Sequence, residues 1–323
     1  MVRAVRIHEV GGPEVMQIEE VALEAPGEGM VTVRHEAIGL NFIDTYHRSG
    51  LYPLELPTGL GLEAAGTVEA VGEGADLEPG DRVAYCAAGF GAYSDALNLP
   101  AARLVKIPEG LDFETAAAVA LKGATSEYLL QRTYPLKAGE TCLFHAAAGG
   151  VGLIFGQWAS AIGARVIGTV GSAEKAELAR ANGYEHVINY REENVAERVL
   201  EITGGDKLPV VYDGVGKDTF DVSLDCLRPR GLMVSFGNAS GSPSPLELQT
   251  LSAKGSLFIT RPTLFSYVMT TEELRQCLGD VFDRVLGGDV KVEINQRYPL
   301  AEVQQAHRDL EGRRTTGSTV LLP

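Results

Sequence analysis

An apolar run, "TCLFH" (Thr141–His145), is followed almost at once by Ala147-Ala148-Gly149-Gly150-Val151-Gly152 and then by an apolar helical stretch. Such a turn works through bare backbone. Glycines there permit a tight bend, the close approach of a pyrophosphate, and close packing of the following helix on the strand. The helix N-terminus adds free N–H groups and the positive end of its dipole. The pattern is a dinucleotide fingerprint with alanine in its first place; the competing reading is a merely structural strand–helix turn. The next strand, "RVIGTV", bears on which dinucleotide. An acid at its end would bond a ribose 2′-hydroxyl. Here the strand runs into Gly171-Ser172, and Lys175 follows in the first helical turn. A 2′-phosphate could take N–H bonds from that turn, the Ser172 hydroxyl and the Lys175 ammonium. Two charge-assisted bonds of roughly 1.5–3 kcal/mol each would favour NADPH over NADH on the order of 100-fold. Glu174 and Glu177 are a mild counter-argument unless they face solvent, and the competing reading of Lys175 is a solvated helix lysine; NADPH is the favoured cofactor.

The elements that must position this turn fall into two parts. The first hundred or so residues are turn-rich and strand-like: "RAVRIHEV", "EVMQIEEV", "MVTVRHEAIGL", "AGTVEAVG" and "DRVAYC" alternate in polarity between Gly/Pro clusters. Helices are scarce there, which predicts an irregular, mostly antiparallel β domain. From about Leu121 strand-like runs ("TCLFHA", "ARVIGTV", "EHVINY", "PVVYDGV", "LMVSFG", "SLFIT") alternate with helical stretches, and Gly183 and Gly204 sit where helix C-terminal glycines belong. Six strands with helical crossovers predict a parallel, doubly wound α/β sheet. A final helix with Val303, Ala306 and Leu310 at helical spacing precedes "TTGSTVLLP", a strand that returns to the first part.

Bulk properties narrow the classes. The 323 residues suffice for two cores. A net charge of −15 argues against nucleic-acid and anionic-membrane partners. Cys86, Cys142, Cys226 and Cys277 are scattered and read as core residues of a reducing compartment. With neither a signal peptide nor a membrane-length apolar run, the expected location is cytoplasmic.

The stretches "NFIDTYHRSGLYP", "GLEAAGTVEAVG", "GDRVAY", "HAAAGGVGLI", "VINYREE", "RGLMVSFGN" and "GSLFITRP" strongly resemble the NADPH:quinone oxidoreductases, the zeta-crystallin-like, zinc-free branch of the medium-chain dehydrogenase/reductases. The resemblance covers essentially the whole chain. It implies a GroES-like catalytic domain from residues 1–120 and 265–323, with a Rossmann NADPH-binding domain, 121–264, inserted. It also implies the cofactor contacts. Asn41, Phe42, Ile43, Asp44, Thr45 and Tyr46 would approach the nicotinamide, with Tyr128 on the helix entering the nucleotide domain. Gly149, Gly150 and Val151 would face the pyrophosphate. Gly171, Ser172, Lys175, Tyr190 and Arg313 would hold the 2′-phosphate. Val215 and the loop Phe236-Gly237-Asn238 would flank the adenosine and nicotinamide portions, and Leu264 would lie near the nicotinamide.

Zinc members of that superfamily carry an early cysteine and a Gly-His-Glu motif. Here Asn41-Phe42-Ile43-Asp44 and Gly61-Leu62-Glu63 stand in those places, and Leu62 cannot ligate a metal. Asp44, Glu63 and His47 are a conceivable metal set without specific spacing. Hydride transfer from a reduced nicotinamide then needs mainly orientation, plus donors for an acceptor oxygen that gains negative charge. Tyr46 and Tyr52 are the candidate donors, with Asn41 as an amide donor; the bland reading of both tyrosines is packing. His145 reads as a satisfied core residue, and no Ser/His/Asp arrangement is recognisable. The expected activity is NADPH-dependent reduction of a small-molecule quinone. The alternatives are an enone or enal reductase and a non-catalytic NADPH-binding protein. Family members are commonly dimers or tetramers, and "GSLFITRP" is the expected edge for a homodimer.

Overall fold

The computed structural model describes all residues, 1–323. Strands β1 (Val2–Ile7), β2 (Gln17–Val21) and β3 (Met30–Leu40) lead into helix α1 (Phe42–Ser49). Strands β4 (Thr58–Gly59), β5 (Glu63–Val71), β6 (Arg82–Cys86), β7 (Ala96–Pro100) and β8 (Val105–Lys106) precede helix α2 (Phe113–Tyr128). Then follow β9 (Thr141–Phe144), α3 (Gly150–Ile162), β10 (Arg165–Val170), α4 (Ala173–Ala181), β11 (His186–Asn189) and α5 (Val195–Ile202). The alternation continues through β12 (Leu208–Asp213), α6 (Phe220–Asp225), β13 (Leu227–Ser235), α7 (Leu248–Ala253) and β14 (Phe258–Thr260). The chain closes with α8 (Thr271–Leu286), β15 (Ile294–Pro299), α9 (Val303–Glu311) and β16 (Ser318–Leu322).

These elements form two compact units: Met1–Thr125, Tyr267–Gly288 and Val292–Pro323 in the first, Ser126–Ser266 and Asp289–Lys291 in the second. The first unit is built around β3, which pairs antiparallel with β5, β7 and β16. Its sheet runs β15-β16-β3-β5-β6-β8, and a smaller sheet runs β2-β1-β4. In β3 the exposed Arg34 and Glu36 alternate with the buried Val33, His35 and Ala37, as a strand with one covered face requires. The C-terminal strand returns as the sequence predicts, with Val320 opposite Gly39 and Leu321 opposite Ile38. One element departs from expectation. The scarcity of helices misses α1, which starts at Asn41 with a capping box: the Asn41 N–H donates to Asp44 Oδ2 at 2.8 Å.

The second unit is a six-stranded sheet in the order β11-β10-β9-β12-β13-β14, with every neighbouring pair parallel. Strand order reverses between β9 and β12, and ligands of such sheets bind outside the carboxyl ends at that switch. Close helix packing has a visible cause. A Cβ on Gly156 of α3 would lie 2.5 Å from the Asn182 carbonyl oxygen, so glycine lets the helix backbone touch the chain leaving α4. The four cysteines are buried free thiols. No helix is long and apolar enough to cross a membrane.

Candidate functional site

At the switch point, β9 ends and the chain turns through Ala146, which adopts φ 60°. A left-handed backbone is rare for alanine and marks a turn held by its surroundings. Gly149 caps α3 with extended backbone and no side-chain bond. The N–H groups of the helix's first turn have no acceptor within the helix, an arrangement that could hold an anion as a cradle. Gly152 cannot be replaced without moving this turn, because its Cβ would meet the Ala147 and Ala146 carbonyl oxygens at 2.5 and 2.6 Å. Tyr184, overlooked in the sequence, locks the cradle from below by donating its hydroxyl to the Gly152 carbonyl at 2.7 Å.

The end of β10 assembles the phosphate-binding candidates of this unit. Ser172 caps α4, its oxygen accepting from the Lys175 N–H at 3.3 Å. That bond occupies a lone pair and leaves the hydroxyl proton to donate. A Cβ on Gly171 would sit 2.5 Å from the Tyr190 hydroxyl, so Gly171, Ser172, Lys175 and Tyr190 meet at one turn. Arg191 Nε is 3.5 Å from the same Cβ position, a second cation that the sequence reading passed over although it follows Tyr190 directly. Glu174 and Glu177 are exposed. No acidic side chain occupies positions 171 or 172, where a 2′-hydroxyl would be read. The turn therefore suits a phosphorylated ribose better than a free one.

Val215 and the Phe236-Gly237-Asn238 loop also come together. The Ala239 and Ser240 N–H groups donate to the carbonyls of Gly214 and Val215 at 3.2 and 2.8 Å. Glycines bring the two turns into backbone contact: a Cβ on Gly237 would be 2.4 Å from the Gly214 oxygen. The Val215 and Gly216 N–H groups donate to Asp213 Oδ1 at 2.8 and 3.0 Å. Tyr128 and Leu264 are buried in the same unit, whereas Arg313 follows α9 in the first unit at φ 58°.

In the first unit, α1 carries Phe42, Ile43, Asp44, Thr45 and Tyr46 directly after Asn41. One Asn41 amide N–H is already donated to Glu63 Oε2 at 2.7 Å, leaving only the other for a ligand. Glu63, fully buried, also accepts from the Leu121 N–H and pairs with the buried Lys122 ammonium at 3.4 Å. Structural hydrogen bonding is thus its visible role. Tyr46 is buried against Tyr52, with ring centroids 5.1 Å apart.

Beneath α1 runs a buried chain with no sequence signature. The Tyr93 hydroxyl donates to Asp44 Oδ2 at 2.8 Å and lies 3.1 Å from His307 Nε2. Arg48 Nη1 is 3.0 Å from His307 Nδ1, and its guanidinium forms a two-pronged bond to Glu311 at 3.0 and 2.7 Å. Burial first, and the Arg48 charge second, pull the His307 imidazole down to about 3. Kept neutral, it accepts from Arg48 at Nδ1 and donates to Tyr93 from Nε2. Burial pushes the Asp44 carboxyl up to about 7. Burial also lowers His47 to about 4. Asp44, Glu63 and His47 do not form a metal-binding group, nor does any other set of three or more His, Cys, Asp or Glu side chains.

Comparison with known proteins agrees with both units. Residues 27–109 match the alcohol dehydrogenase GroES-like domain, and residues 150–283 match the zinc-binding dehydrogenase domain, whose name does not make up for Leu62 here. The chain is 57% identical to a quinone oxidoreductase of Pseudomonas aeruginosa and 52% identical to quinone oxidoreductase 1 of Escherichia coli, each over the full length of both chains. It is 47% identical to a 2-haloacrylate reductase of a Burkholderia species, covering 100% of this chain and 99% of that one. The crystal structure of Escherichia coli quinone oxidoreductase complexed with NADPH superposes with a TM-score of 0.98 at 52% identity, covering both chains completely. With such identity along its entire length, the chain belongs to the quinone oxidoreductase family.

Proposed function

We propose that this protein is an NADPH-dependent quinone reductase. The observation that carries the reading is the turn at the end of β10, where Tyr190 and Arg191 close the Gly171 position to any side chain, Ser172 caps α4 on the Lys175 N–H, and positions 171 and 172 carry no acid. When bound, the cofactor supplies the hydride. The protein binds and orients it: the first turn of α3 faces the pyrophosphate, and the β10 turn takes the 2′-phosphate. For the acceptor oxygen, Tyr46, Tyr52 and the second Asn41 N–H are the donors we assign. The roles of Asn41 to Tyr46 as cofactor contacts, of Tyr128, Leu264 and Arg313, rest on the family resemblance. A homodimer paired through β14 belongs to the same proposal; that edge strand carries Phe258, which is 61% exposed.

The test compares NADPH with NADH over a panel of quinones. Lys175→Ala should raise KM for NADPH on the order of tenfold, as for one lost charge-assisted bond, and spare NADH. Equal losses with both cofactors refute the phosphate contact. The 2-haloacrylate reductase relative favours a second reading, reduction of an alkene conjugated to a carbonyl by the same geometry. Turnover of such alkenes in preference to quinones would select it.

A further inference from the structure

The second unit contains a buried polar chain that the proposed function does not use. His145, Thr169, Ser223 and Asp213 are each 2% exposed or less. His145 Nδ1 is 2.9 Å from Thr169 Oγ1, and its Nε2 is 3.0 Å from Ser223 Oγ. Ser223 donates to Asp213 Oδ2 at 2.7 Å. Asp213 further accepts from Thr219 and from the Val215 and Gly216 N–H groups.

The order of these groups determines where every proton lies. A carboxylate only accepts, so the single Ser223 O–H donates to Asp213. Ser223 Oγ must then accept from His145 Nε2–H. Burial lowers the imidazole's affinity for a second proton, so the ring is neutral and Nδ1 accepts from the Thr169 hydroxyl. A serine, a histidine and an aspartate do therefore converge, which no spacing in the sequence announces, and His145 is a core residue with both ring nitrogens bonded, as expected. They are not a nucleophilic triad. The serine hydroxyl donates to the aspartate where a triad needs it to donate to the histidine, and all four residues are buried.

What the chain touches gives it meaning. His145 directly precedes the Ala146 turn and α3. Thr169 lies two residues before Gly171, and its carbonyl accepts the Ala147 N–H at 3.0 Å. Asp213 ends β12 and holds the Val215 turn. We propose that Thr169, His145, Ser223 and Asp213 form one hydrogen-bond chain of fixed direction, in which Asp213 is the positioning residue that couples the turns after β9, β10 and β12 around the dinucleotide. This rests on the cofactor reading above, but the chain's direction is measurable without cofactor.

Asp213→Asn reverses the chain. The new amide N–H₂ donates to Ser223, whose hydroxyl turns to His145 Nε2; the imidazole proton moves to Nδ1 and donates to Thr169. Ring ¹⁵N NMR of histidine-labelled protein, with His145 identified by loss of its signals in His145→Gln, should show Nε2–H in the wild type and Nδ1–H in Asp213→Asn. NADPH affinity, read by cofactor fluorescence, should fall on the order of tenfold, with turnover at saturating cofactor little changed. A folded Asp213→Asn retaining the Nε2–H tautomer overturns the proposal, as does a reversed tautomer with unchanged affinity. Should that variant fail to fold, Ser223→Ala gives the same test: without an acceptor at Nε2 the proton should move to Nδ1, and an unmoved proton refutes the chain. A wild type that binds no NADPH yet shows the Nε2–H tautomer would defeat the cofactor reading, and with it the positioning role, while leaving the chain's direction intact.

Discussion

Asp44→Asn isolates the energetic consequence of burying a carboxyl beneath α1. Asp44 is fully buried, and its Oδ2 accepts from Tyr93 and from the Asn41 N–H, while Oδ1 has no hydrogen-bond partner. Desolvation is the largest influence and raises the carboxyl from 3.8 to about 7; the bonds from Tyr93 and Asn41 oppose it, Glu63 adds to it, and Lys122 opposes it. Between these two values the folded protein holds a proton that the unfolded chain has lost. Stability from this group is therefore fully present at low pH, falls as pH rises from about 4 to about 7, and is level above. A shift of about three units corresponds to about 4 kcal/mol, an upper figure for a buried group near a cation. Asparagine has the same shape, keeps an oxygen for Tyr93 and Asn41, and never ionises. Asp44→Asn should therefore match the wild type near pH 4 and exceed it by up to about 4 kcal/mol at pH 8. The single tryptophan, Trp158, lies in the second unit, so its fluorescence reports the wrong part of the chain. Hydrogen exchange of β3 amides, compared between the two proteins at each pH, reports the right one. Parallel pH dependences in the two proteins would show that Asp44 carries its charge in the fold without penalty, and the desolvation argument would fail.

Two further outcomes follow from contacts with no room to adjust. Gly152→Ala sets a methyl 2.5 Å from a backbone oxygen, so the first turn of α3 must move; NADPH binding by titration calorimetry should weaken by at least about tenfold, and wild-type affinity would remove that turn from the site. Arg48→Met removes a side chain only 2% exposed, leaving Glu311, the Gly11 carbonyl and His307 Nδ1 without their donor. It should cost about 2–3 kcal/mol by β3 hydrogen exchange, through the acceptors left without a donor at His307 and Gly11, since Glu311, 36% exposed, turns to water. A cost under about 1 kcal/mol would mean that Arg48 is no more than a surface ion pair.

Much of the second unit was legible because its signals are local. Six apolar runs with crossovers imply a parallel sheet, and three glycines between a strand and a helix imply a backbone-lined anion site, each within a few dozen residues. The Gly171-Ser172 turn with Lys175 was equally readable, since strand, cap and helix adjoin in sequence. Even the return of "STVLLP" to the first unit could be expected from its strand-like pattern. Helix α1 was missed because the cap at Asn41 sits within a segment dominated by strand signals.

The buried chains are different in kind. Arg48 and His307 are 259 residues apart, and Ser223 and His145 are 78 apart. None of the four has a neighbour in sequence that announces its partner. Local sequence supplied the strands to expect, the glycine turn before α3, and, through Gly171-Ser172 and Lys175, the expectation of NADPH. Only the tertiary structure decided that Asn41 donates one N–H to Glu63, that Asp44 is desolvated, and that the Ser223 hydroxyl donates to Asp213. Desolvation and hydrogen-bond direction depend on what surrounds a group in space, and folding alone supplies those surroundings.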